Sequence, residues 1–118
     1  MVTLKDTAFS ISSLRNQRFL KARTVLKKIV NILVREYNVS RVVLVGSLAE
    51  GERFGFHSDI DLCVKGLPDE LYFKAVGELL LKAGEFNIDI IPFENATPEM
   101  MERIEKGKVL YEKRRTVS

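Results

Sequence analysis

From about Ser13 to Tyr37 the apolar residues fall at helical spacing. Phe19, Ala22, Leu26, Ile29, Leu33 and Tyr37 form one stripe, widened by Val25, Val30 and Val34. Arg15, Arg18, Lys21, Lys28 and Arg35 lie mostly off it, so the pattern predicts a long amphipathic helix ending near Asn38. Arg41–Val45 is a short β-branched run bounded by Ser40 and Gly46 and reads as a buried strand. A loop rich in glycine and charge runs from Ser47 to His57. Asp59–Val64 alternates and reads as a second strand, closed by Lys65 and Gly66.

Pro68 sits where a helix should begin, with Asp69 and Glu70 in its first turn. Leu71, Ala75, Leu79 and Leu80 give that helix an inner face, and Gly84 is placed to end it. Asn87–Phe93 reads as a third strand. Thr97-Pro98-Glu99 opens a last helix through about Lys106, and Val109–Tyr111 adds a short final strand. Residues 1–12 lack clear periodicity and read as a loose arm. The folded body is expected over 13–112, with a basic tail at 113–118. The order is that of an α/β domain, a small sheet covered by helices. Periodicity does not choose between parallel and mixed strands.

Size and composition narrow the function classes. A chain of 118 residues is one domain and buries roughly two-thirds of its unfolded surface. No run approaches the ~20 apolar residues of a membrane span, and Lys5, Asp6 and Arg15 break the first apolar stretch, which speaks against a signal peptide. Cys63 is the only cysteine, so a disulfide scaffold is excluded and a reducing cytoplasm is the expected location. The formal charge of +3 is mildly basic and spread along the chain, which argues against direct nucleic-acid binding.

The chemistry concentrates in three places. Residues two apart in a strand share a face, so Asp59 and Asp61 project side by side. Two neighbouring carboxylates stay ionised cheaply only with positive charge between them, and Mg²⁺ is commonly held by one or two carboxylates plus substrate phosphates. Asp89 stands in an otherwise apolar strand, where a carboxylate buried alone is costly. If its strand lies beside that of Asp59 and Asp61, three carboxylates meet at one sheet end. Such a set suits two ions roughly 4 Å apart, as in in-line phosphoryl chemistry. Gly46-Ser47 closes the first strand and opens a helical turn, where backbone amides and a hydroxyl make an anion site.

The segment from Val45-Gly46-Ser47 through Ser58-Asp59-Ile60-Asp61-Leu62 resembles the signature of the DNA polymerase beta nucleotidyltransferase superfamily. More narrowly it is similar to the minimal nucleotidyltransferase (MNT, MntA-type) antitoxins. The resemblance implies a minimal nucleotidyltransferase fold, a small mixed β-sheet flanked by helices. It implies Asp59, Asp61 and Asp89 as catalytic ligands of two Mg²⁺ ions, and Gly46, Ser47 and Ser58 as nucleotide-binding residues, with ATP as substrate. It also implies a HEPN-domain toxin as partner, with AMP passed from ATP to a tyrosine hydroxyl of that toxin. The eleven-residue loop from Leu48 to Ser58 is longer than in many relatives, and Glu50 stands where a basic residue is common. Two alternatives stay open: an antitoxin acting by occlusion alone, and a nucleotidyltransferase modifying a small molecule or RNA.

The remaining residues read as structural. His57 is expected to be a loop side chain and Cys63 a small packing residue on the aspartate face. Arg53, Phe54 and Phe56 lie over the expected nucleotide, where base stacking and loop packing are equally open. Met100 and Met101 read as core or interface filler, and Tyr37, Tyr72 and Tyr111 as packing residues. The long first helix has apolar surface enough for self-association or for docking a partner.

Overall fold

The computed structural model describes residues 4–50 and 59–114, with backbone alone at 4–13, 47 and 50. The long helix α1 (Leu4–Arg35) leads into β1 (Arg41–Val45), a short α2 (Ser47–Glu50) and β2 (Ile60–Lys65). A 3₁₀ turn (Asp69–Leu71) precedes α3 (Tyr72–Ala83), which returns the chain to β3 (Ile88–Pro92). A second 3₁₀ turn (Phe93–Asn95) is followed by α4 (Pro98–Glu105) and β4 (Lys108–Glu112). The four strands form one sheet in the order β3-β2-β1-β4, so β3 and β4 are its outer strands. β1 runs antiparallel to both β2 and β4, whereas β2 and β3 are parallel, joined through α3. The sheet is therefore mixed, a point that periodicity left open.

Strand alternation sorts the core into two layers. Val42, Leu44, Ile60, Leu62, Val64, Ile88 and Ile90 face one side. There they pack against Ala22, Leu26, Ile29 and Leu33 of α1 and Ala75, Leu79 and Ala83 of α3. Val43, Val45 and Cys63 face the other side, under Ile104 and Met101 of α4, with Ile91 and Phe93 alongside. β1 is thus buried on both faces, which is why its sequence is an unbroken apolar run rather than an alternating one.

Two boundaries and one helix face differ from the sequence reading. The helix α1 begins at Leu4 and so takes in most of the stretch read as a loose arm. A helix already nucleated extends by one hydrogen bond per residue and needs no packed face to do so, so periodicity gave no sign of it. Leu80 is 44% exposed; the inner face of α3 is Ala75, Leu79 and Ala83. A 3₁₀ turn, not the helix itself, follows Pro68.

Local chemistry fixes the ends. Asn38 takes the left-handed region at φ 51° after α1, and the Val39 N–H donates to the Leu33 carbonyl at 3.3 Å. The Thr97 hydroxyl accepts from the Met100 N–H at 3.3 Å, with Pro98 entering the first turn of α4. Tyr37 and Tyr72 are packing residues with anchored hydroxyls. Tyr72 donates to the Ile90 carbonyl at 2.8 Å, and Tyr37 donates to the Glu78 carboxylate at 2.6 Å, a bond that pushes its phenol up to about 12.

Two glycines make opposite demands. A Cβ on Gly107 would lie 2.6 Å from the Leu44 carbonyl oxygen and 2.8 Å from Val43 Cγ1, so the α4–β4 turn needs glycine there. A Cβ on Gly77, within α3, would meet nothing within 4 Å. Gly107→Ala is expected to destabilise the protein by about 1–3 kcal/mol through forced backbone shifts. Gly77→Ala is expected to stabilise it by about 0.5–1 kcal/mol through helix propensity. Urea unfolding of both variants checks the opposite signs.

Candidate active site

The site forms where the C-terminal end of β1 meets the N-terminal ends of β2 and β3. Cross-strand register places Asp61 opposite Val45 on one side and beside Asp89 on the other. The Ile60 N–H donates to the Asn87 carbonyl at 2.9 Å, which holds β3 level with β2. Parallel neighbours lie about 4.8 Å apart, so the two carboxylates leave adjacent backbones on the face that α4 covers. Asp59 precedes β2 by one residue and is exposed.

Glycine is required at the adjoining turn. Gly46 has a φ of 81°, in the left-handed region, and a Cβ there would sit 2.8 Å from Asp61 Oδ2. The carboxylate therefore rests against the backbone where β1 turns into α2. The first amides of α2, which follows Gly46 directly, have no partner within the helix.

Burial pushes the Asp61 carboxyl above its ordinary value; Asp89 pushes it further, Arg103 pulls it back, and Asp59 adds a smaller upward push. Its side chain is 23% exposed. The cation that meets it is Arg103 of α4, whose Nη2 lies 3.7 Å from Asp61 Oδ2. Among the described residues, no group of three or more His, Cys, Asp and Glu side chains stands close enough to hold a metal ion. The donor set is nevertheless of the right kind: oxygen only, with Asp61 half-buried and Asp59 and Asp89 exposed, mutually repelling, and balanced by one loose ion pair. A hard divalent cation fits that chemistry.

Of the six residues expected at the site, Gly46, Asp61 and Asp89 come together, and Asp59 flanks them. Ser47 sits at the start of α2, and Ser58 lies outside the described residues, as do Arg53, Phe54, Phe56 and His57. Arg103 was not anticipated. Its sequence signal is weak: Met100, Met101 and Ile104 mark the inner side of α4, but nothing local says which sheet face that helix covers. Cys63 lies two residues along from Asp61, buried, and its thiol is pushed up to about 11, chiefly by burial.

The profile of the family described as "Polymerase beta, Nucleotidyltransferase" matches residues 27–116. The chain belongs to this nucleotidyltransferase family. Its fold is similar to that of solved toxin–antitoxin structures. One, a toxin–antitoxin with AMP-PNP, aligns at TM-score 0.59 and 20% identity over 74% of this chain and 73% of that one. A second, of MntA–HepT, aligns at TM-score 0.57 and 19% identity over 76% and 72%. A third, of a tri-AMPylated Shewanella oneidensis HEPN toxin with its MNT antitoxin, aligns at 0.52 and 18% over 79% and 71%. No curated protein sequence matches the chain. Among the described residues of this nucleotidyltransferase, no helix is long and apolar enough to cross a membrane.

Two outcomes test the electrostatics. The raised Asp61 carboxyl binds its proton more tightly in the folded state than in the unfolded one. The metal-free fold therefore loses stability as pH climbs from the ordinary carboxylate range through the raised value, and keeps that loss above it. Asp61→Asn should melt higher than the parent at pH 7 in chelator-treated buffer, and the two should converge below about pH 3.5. Cys63 should resist a thiol reagent at pH 8 in the native protein and react fully once it is denatured.

Proposed function

We propose that the chain is a Mg²⁺-dependent nucleotidyltransferase that transfers AMP from ATP to a tyrosine hydroxyl of a HEPN-domain toxin, and so serves as its antitoxin. The observation that carries this reading is Asp61 and Asp89 side by side against the Gly46 turn, in a chain of this family. Solved structures of similar fold, one with AMP-PNP and one with an AMPylated HEPN toxin, support the choice of nucleotide and of partner.

In this mechanism Gly46, Ser47 and the first amides of α2 bind the β- and γ-phosphates, and Ser58 is assigned to the same nucleotide. Asp59, Asp61 and Asp89 would hold two Mg²⁺ ions. When bound, those ions would supply positive charge to the triphosphate and make the acceptor hydroxyl more acidic. The tyrosine oxygen attacks the α-phosphorus in line. A new P–O bond forms as the bond from the α-phosphorus to the bridging oxygen breaks, and pyrophosphate leaves. The hydroxyl proton passes to Asp89, which is exposed and on the reacting face.

Labelled ATP, Mg²⁺ and a HEPN-domain toxin as acceptor test the reading. Label should appear on the partner with the parent protein. Asp89→Asn should lose at least about 100-fold in transfer while keeping most of its affinity for nucleotide by calorimetry. Tight binding of the partner without label would leave inhibition by occlusion instead, and label on RNA or a small molecule would assign a different acceptor.

A further inference from the structure

Arg103 has a place in this site that the proposed reaction does not use. It stands in the last turn of α4, and its side chain is half exposed. At 3.7 Å its contact with Asp61 is an ion pair without a hydrogen bond. Its Nη2 is also 3.7 Å from the point where a Gly46 Cβ would be, so the guanidinium hangs between the carboxylate and the turn from β1 into α2. The helix beneath it is firmly held: Ile104 is buried, Thr97 caps the first turn, and Gly107 fits tightly against Leu44. The anchor of the side chain is fixed while its charged end is loosely engaged.

We infer that Arg103 is an exchangeable counter-ion. It neutralises Asp61 in the metal-free protein and, when a divalent cation takes that carboxylate, transfers its charge to a phosphate of the nucleotide. The inference rests on the nucleotidyltransferase reading above. Two like charges cannot share one half-buried carboxylate cheaply, so cation entry displaces the guanidinium. The displaced group stays tethered beside the turn where phosphates are expected, and a guanidinium fork matches phosphate oxygens two at a time. Arg103 thereby opposes binding of the metal alone and favours metal and nucleotide together.

Calorimetry on the full chain separates these effects, with Mn²⁺ alone as one probe and a non-hydrolysable ATP analogue in Mg²⁺ as the other. Arg103→Gln should bind Mn²⁺ alone about 2–5-fold more tightly, the worth of a loose ion pair. The same variant should bind the analogue about tenfold more weakly, the worth of a charged hydrogen bond. Arg103→Lys should restore the competition with Mn²⁺ but only part of the nucleotide affinity. Opposite signs for the two ligands are the signature, because mere damage to α4 would weaken both and lower the melting temperature. If both affinities fall together, or the analogue binds Arg103→Gln as it binds the parent, the inference is overturned. The nucleotidyltransferase reading survives that result provided the parent takes up both ligands. If the parent takes up neither, that reading fails and the role of Arg103 falls with it.

Discussion

The structure turns on one carboxylate that the fold makes costly. Asp61 is enclosed by β1, β3 and α4, it lies level with Asp89, and its charge is met by a guanidinium that does not reach hydrogen-bonding distance. Each arrangement around it serves to bring it there. The parallel pairing of β2 with β3 sets the two acids at one height. The left-handed backbone at Gly46 lets the strand end close against the carboxylate, and α4 covers the face on which both acids project. A sheet built for stability alone would not gather negative charge in this way. In a chain of this nucleotidyltransferase family, the proposed reaction would give that gathering a chemical purpose.

The two core layers divide the work. The layer between the sheet and helices α1 and α3 is apolar throughout and carries most of the buried side chains. The layer under α4 is smaller, and it grades from apolar packing around Val43, Cys63 and Ile104 to charge at Asp61 and Arg103. Apolar packing is thus concentrated on one side of the sheet and the proposed chemistry on the other. The same strands serve both because successive residues point to opposite faces.

Much of this was legible in the sequence. The stripe from Phe19 to Tyr37 and the alternation around Asp61 each carry the period of one element, and the run Arg41–Val45 is marked instead by its short, β-branched composition between Ser40 and Gly46. Asp89 was conspicuous because a carboxylate in an apolar strand demands a reason. What stayed hidden was long-range. The parallel sense of β2 and β3 depends on where α3 returns the chain, and no local pattern encodes that. Arg103 is one basic residue among many until α4 is known to lie across the acid-bearing face. The extent of α1 escaped for a different reason: its first turns follow from cooperativity in the backbone rather than from any side-chain period.

The sheet order has a further consequence at its margins. An outer strand offers unpaired amide and carbonyl groups along its free side, a template onto which a foreign strand can be added. β3 ends in Pro92, which has no amide to donate, and then leaves the sheet in a tight turn. β4 is short, begins with Lys108, ends with Glu112 and is followed by Lys113 and Arg114, so an added strand would have to pass close to charge at both ends. Lateral growth of the sheet is blunted on both sides, and aggregation through strand addition is discouraged by the same short elements that frame the acids.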